Sequence, residues 1–152
     1  MTPRPLVIGY GNPLRRDDGL GWHAASVLAL SRPGGARVLQ RHQLTPELAV
    51  DVAAASEVVF VDARPADGAG IRVEEVTPEY GALSWTHHLT PGELLGLASL
   101  CGHAPPRAWL VSAPVTCTEP GEGLTPPEQE LLPQVLARVA ELVTPTAPAA
   151  TG

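Results

Sequence analysis

The chain has 152 residues, 44% hydrophobic and 17% charged, with a formal net charge of −6 at pH 7. That length suits one domain with a real core, and that composition excludes a disordered chain. The few basic residues are scattered, which excludes a general nucleic-acid binder, and no apolar run approaches the ~18 residues of a membrane span.

In chain order, Met1-Thr-Pro-Arg-Pro5 leads straight into a short apolar run with no signal-peptide cleavage site, so a cytoplasmic protein is expected. Leu6-Val-Ile-Gly9 reads as a buried strand, followed by a loop from Tyr10 to Asp18. A helix is predicted over residues 19–30, with Leu20, Ala24, Val27 and Leu28 on one face and Ser31-Arg-Pro-Gly-Gly35 as its stop. Val38-Leu39 is a second strand. Thr45-Pro46-Glu47 opens a helix with Thr45 as its cap, because proline at the first helical position forfeits no hydrogen bond. Val58-Val-Phe-Val61 is a strand covered on both faces, and residues 71–76 read as a strand nearer an edge. Thr90-Pro-Gly-Glu93 is a capping box opening a helix through Ala98. Trp109-Leu-Val-Ser112 is a strand. Thr125-Pro-Pro-Glu128 is a second capping box, and its helix carries the stripe Leu131, Leu132, Val135, Leu136, Val139, Leu142 and Val143.

Strands alternating with helices predict an α/β fold: three layers, α/β/α, with a mostly parallel twisted sheet. One domain is expected over residues 1–143, with residues 144–152, rich in Pro, Ala and Thr, as a disordered tail. Cys101 and Cys117 lack Cys-x-x-Cys spacing and are expected as core or loop thiols.

Three places hold polar groups that the fold alone does not require: the loop from Gly9 to Gly21 with Asp17 and Asp18, Asp62 directly after a strand, and His87-His88 before a helix. In a parallel α/β sheet, residues that follow a strand lie at its carboxyl edge, where ligands bind. Asp17, Asp18 and Asp62 all leave strands on that side, and a histidine from a third loop would complete an N/O site suited to zinc or nickel. Each residue alone also has a plainer role. Asp17 and Asp18 could cap the first helix, Asp62 could serve a turn, and a histidine before a helix could be a surface group. Gly9-x-Gly11 is not a dinucleotide loop, since position 14 is Leu and Pro13 removes a backbone donor. Walker and Gly-x-Ser-x-Gly motifs are absent.

The sequence resembles the nickel-hydrogenase maturation endopeptidases. The likeness rests on Ile8-Gly-Tyr-Gly-Asn12, Leu14 and Asp17-Asp-Gly-x-Gly21, then His42-Gln-Leu-Thr-Pro-Glu-Leu48 and Val59-Phe-Val-Asp-Ala63. Thr86-His87 followed by Glu93-Leu-Leu95, and Glu119-Pro-Gly-Glu-Gly-Leu-Thr125, complete it. The resemblance spans about Pro5 to Val143. It implies three nickel-binding side chains, Asp18, Asp62 and His87, with His88 as the alternative third ligand. Asp18 and Asp62 are also the implied catalytic residues, and Arg16 stands where a small or neutral residue is frequent. The implied reaction is one peptide cleavage that frees a short C-terminal tail from the nickel-loaded large-subunit precursor of a [NiFe] hydrogenase. The nickel comes with that partner, either as a recognition handle or to polarise the scissile carbonyl or a water, with one carboxylate as general base. Two competing readings are a hydrolase of small amides that holds its own zinc, and a non-catalytic module that docks the nickel-loaded precursor.

Overall fold

The computed structural model describes residues 3–81, 88–102 and 104–143. His87 and the tail from residue 144 lie outside the described residues. The elements are β1 (Leu6–Tyr10), a 3-10 turn (Arg16–Gly19), α1 (Leu20–Ser31), β2 (Arg37–Arg41), α2 (Leu48–Ala53) and β3 (Glu57–Arg64). They continue as β4 (Arg72–Val76), α3 (Pro91–Ala98), β5 (Arg107–Pro114) and α4 (Pro126–Val143).

The strands form one five-stranded sheet in the order β2-β1-β3-β5-β4. All pairings are parallel except that of β4, which runs antiparallel to β5 at one edge. Alternation along the strands builds the two core layers. Leu6, Ile8, Val58 and Phe60 pack on the face of α2 and α3 with Leu48, Val52, Leu94 and Leu95. Val7, Val59 and Val61 pack on the opposite face with Leu20, Ala24 and Leu28 of α1 and Val135, Val139 and Val143 of α4. The expected three-layer α/β/α class is the observed one, and no helix among the described residues is long and apolar enough to cross a membrane.

Three local expectations are corrected. Val27 falls at the margin of the buried face of α1 and is 41% exposed. Thr45 does not cap α2: its hydroxyl donates to the Glu47 carboxylate at 2.6 Å, and the helix starts at Leu48 without a side-chain cap. Thr125 does not form a capping box with Glu128, because its hydroxyl and its N–H both donate to Asp17, at 2.9 and 2.8 Å. The Thr90–Glu93 box of α3 forms with both reciprocal bonds.

The topology sets the position of the site. From β1 the chain moves to β2 on one side, and from β2 it crosses back past β1 to β3 on the other. The strand order therefore reverses at β1 and β3, and the carboxyl ends of those two strands flank a crevice, the place where open α/β sheets bind ligands.

Candidate functional site

The loop that leaves β1 folds back across the ends of β1 and β3. Asn12 starts it with an Asx turn, its side-chain oxygen accepting the Leu14 N–H at 2.9 Å. The 3-10 turn and the start of α1 then press against both strands. Backbone contact at this depth requires glycine: a Cβ on Gly11 would collide with the Asp18 carbonyl, and one on Gly21 with the carbonyls of Val61 and Tyr10. The glycines of this loop thus serve close packing of the turn on the strand ends.

Asp17 and Asp18 have different fates. Asp17 is fully buried and faces away from the crevice. It accepts the N–H groups of Thr116, Cys117 and Thr125 and the Thr125 hydroxyl, at 2.8–2.9 Å. Burial works against its charge, but these donors outweigh burial and hold the carboxyl below its ordinary range. Asp18 is half-buried, and its Oδ2 accepts the Asn12 N–H at 3.1 Å. Neither acid caps α1, which begins after Gly19 with no side-chain cap.

Asp62 does not follow the strand as expected: β3 continues past Val61 to Arg64 and contains it, because β3 stays paired with β5 to that point. The register pairs Gly9 with Val61, so Tyr10 stands opposite Asp62 and both side chains leave the sheet on the α2/α3 face. The Tyr10 phenol lies near enough to the Asp62 carboxyl to favour its ionised form, and the Ala63 N–H donates to Asp62 Oδ1 at 2.8 Å. Burial is the dominant influence on Asp62. It pushes the carboxyl up to about 7 against the Ala63 hydrogen bond and the nearby Tyr10 phenol, and the charge of Asp18 adds to the rise. Burial also raises the Tyr10 phenol above its ordinary value. Asp18 and Asp62 are therefore close enough to feel each other's charge across the β1/β3 crevice.

Of the predicted histidines, His87 lies outside the described residues, and His88 is exposed. The next residue, Leu89, donates its N–H to the Leu44 carbonyl at 3.4 Å, which brings this stretch beside the loop that leaves the carboxyl end of β2. In that loop His42 stacks on Trp22 with ring centroids 4.8 Å apart. Among the described residues, no cluster of three or more His, Cys, Asp or Glu side chains could hold a metal ion. Cys101 and Cys117 are both free thiols.

No family model and no curated relative matches the sequence. Solved structures do match. The hydrogenase maturating endopeptidase HybD from E. coli is 22% identical, with a TM-score of 0.68 over 90% of this chain and 89% of that one. The [NiFe] hydrogenase maturation protease HycI from Thermococcus kodakarensis KOD1 is 23% identical, with a TM-score of 0.66 over 92% of each chain. The hydrogenase 2 maturation peptidase from Thaumarchaeota archaeon SCGC_AB-539-E09 is 22% identical, with a TM-score of 0.64 over 92% of this chain and 97% of that one. The chain has the fold of hydrogenase maturation endopeptidases. At this identity the likeness is one of fold, and the site has to be read from the side chains.

Two residues of the site escaped the sequence reading. Tyr10 reads as the first loop residue; in the structure it is the last of β1, and the β1–β3 register sets it against Asp62. Asn12 reads as part of a glycine-rich motif, and its N–H fixes Asp18. The alternation Leu6, Ile8, Tyr10 was a signal for the first. Nothing local marked the second.

Proposed function

We propose that this chain is an endopeptidase of the hydrogenase maturation type, which removes a short C-terminal tail from the nickel-loaded large-subunit precursor of a [NiFe] hydrogenase. The observation that carries this reading is that Asp18 and Asp62 come together at the switch point of the sheet, near enough for the charge of Asp18 to act on Asp62. The solved structures of the same fold that carry maturation-protease names support it.

The nickel arrives with the substrate. Carboxylate oxygens with one imidazole suit nickel, so Asp18 and Asp62 would hold it, with His87 as the third group. Bound there, it supplies a docking point and a positive charge beside the scissile peptide. The protein's own groups do the rest. The Asn12 N–H fixes Asp18, and the Ala63 N–H orients Asp62. One of the two carboxylates takes a proton from the attacking water and returns it to the leaving amine nitrogen.

The test is in vitro processing of the precursor, read as a shortened large subunit. The nickel-loaded precursor should be cut and the nickel-free precursor left intact. Asp18→Asn, Asp62→Asn and His87→Ala should each lose at least about a hundredfold in rate with the fold intact by circular dichroism, whereas His88→Ala keeps its activity. Equal cutting with and without nickel, or a fully active Asp62→Asn, would overturn the proposal. Binding of the nickel-loaded precursor without any cutting would identify a docking module instead.

A further inference from the structure

Asp18 borders a second feature. A cleft of about 250 Å³ opens beside the ends of β3 and β5, lined by Asp18, Ala63, Arg64, Pro65, Val115 and Thr118. Ala63 follows Asp62 on the strand, so its side chain leaves the sheet on the opposite face, toward the α1/α4 core. The carboxyl end of β3 is thus a ridge, with the Asp62 carboxyl on one flank and the cleft on the other, and Asp18 serves both.

We propose that this cleft is the subsite for a side chain flanking the scissile bond of the substrate, and that it takes an aliphatic residue. This rests on the endopeptidase reading. The volume falls below the ~300–1,000 Å³ typical of small-molecule pockets and suits a single side chain. Ala63, Pro65 and Val115 make the walls apolar. The Arg64 guanidinium is committed to Ser112, Asp67, Ala69 and Gly70 and is not free to bind a ligand. The remaining charge in the lining is that of Asp18, which opposes an acidic side chain. A peptide crossing the ridge with its scissile bond at the carboxylate pair would place an adjacent side chain in the cleft.

The cleft is also held open by construction. The Val115 N–H donates to the Arg64 carbonyl at 3.0 Å, and Arg15 Nε to the Thr118 carbonyl at 3.1 Å. The Arg16 N–H donates to the Gly121 carbonyl at 3.1 Å, and its Nη1 to the Glu122 carbonyl at 3.2 Å. Arg16 takes a left-handed backbone with φ 49°, a strained conformation for a residue with a side chain, and its guanidinium reaches across the bare face of Gly121. This strap fixes the loop that carries Val115 and Thr118, so the subsite exists before substrate arrives. It also gives Arg16, unusual at its position, a task.

The experiment uses nickel-loaded precursor carrying Gly, Ala, Val, Met or Asp in turn at each of the two residues flanking the cut. With the wild-type enzyme, the best aliphatic residue at one of the two positions should be processed at least about tenfold faster than Gly there, with Asp the slowest. Val115→Phe, which narrows the cleft, should reverse that preference to Gly and Ala at that position alone. Thr118→Trp, at a half-buried position on the other side of the cleft, should do the same and decides the matter if Val115→Phe does not fold. Identical profiles in wild type and a folded variant would overturn the subsite, as would loss of every substrate, glycine included. Failure of the wild type to cut any precursor would instead count against the endopeptidase reading.

Discussion

Glu128 gives the sharpest test of the electrostatics behind this site. It is fully buried in the first turn of α4. Asp17 takes the Thr125 N–H that a capping box would give to Glu128, and among the described residues neither Glu128 oxygen has a partner within hydrogen-bonding geometry. Burial, with the charge of Asp17 added, raises the carboxyl from 4.5 to about 7. In the folded protein Glu128 therefore holds its proton more tightly than in the unfolded chain. Below pH about 4.5 both states are protonated and the site costs nothing. Between there and about 7 the unfolded chain releases a proton that the folded one keeps, so stability falls as pH rises. Above 7 the full cost is present: a shift of about 2.5 units at 1.36 kcal/mol per unit, or about 3 kcal/mol. Glu128→Gln, neutral and of the same shape, should remove it. In urea unfolding the variant should be more stable than wild type by up to about 3 kcal/mol at pH 8, the gain falling to under about 1 kcal/mol at pH 5. A gain that does not vary with pH, or a variant less stable at pH 8, would refute the picture of a neutral Glu128 beside an ionised Asp17.

Other expectations follow from the same geometry. Asp17→Ala strands three backbone donors and should cost about 3 kcal/mol or more in urea unfolding, and an unchanged midpoint would show that water replaces the carboxylate freely. Gly21→Ala drives a Cβ into the carbonyls of Val61 and Tyr10; a loss above about 3 kcal/mol is expected, and wild-type stability would mean the α1–β3 approach is looser than described. Tyr10→Phe removes a phenol that favours the ionised Asp62, so Asp62 should titrate above about 7 in carboxyl-carbon NMR of the metal-free protein; an unchanged or lower value would disprove the influence of Tyr10 on Asp62.

The layers were legible because each strand carries its own alternation and each helix its own stripe, and both are local. That Asp18 and Asp62 reach one edge of the sheet was legible for a topological reason, since residues toward the carboxyl ends of parallel strands share an edge whatever the strand order. Long-range pairing was not legible. Thr125 and Glu128 have the spacing of a capping box, yet the donors go to Asp17, 108 residues away in sequence. Thr45 has the chemistry of a cap, but Glu47 is two residues away and takes its hydroxyl. The alternation Leu6, Ile8, Tyr10 marks the face on which Tyr10 lies, but its neighbour Asp62 follows only from the register between β1 and β3.

Asp17 and Asp18 show how one local device separates two chemically identical side chains. They occupy a 3-10 turn, in which each residue advances about a third of a revolution, so adjacent carboxylates cannot share an environment. Arg16 enters that turn with its left-handed backbone. The rotation sends Asp17 inward to the loop before α4 and leaves Asp18 beside the β1/β3 crevice. The inward acid is the stronger structural element, because it ties the turn to backbone amides 99 to 108 residues away in sequence. That tie fixes the turn on which Asp18 sits, and it also holds Thr116 and Cys117, the residues between the cleft-lining Val115 and Thr118. The position of Asp18 and the shape of the adjacent cleft thus depend on the same buried carboxylate.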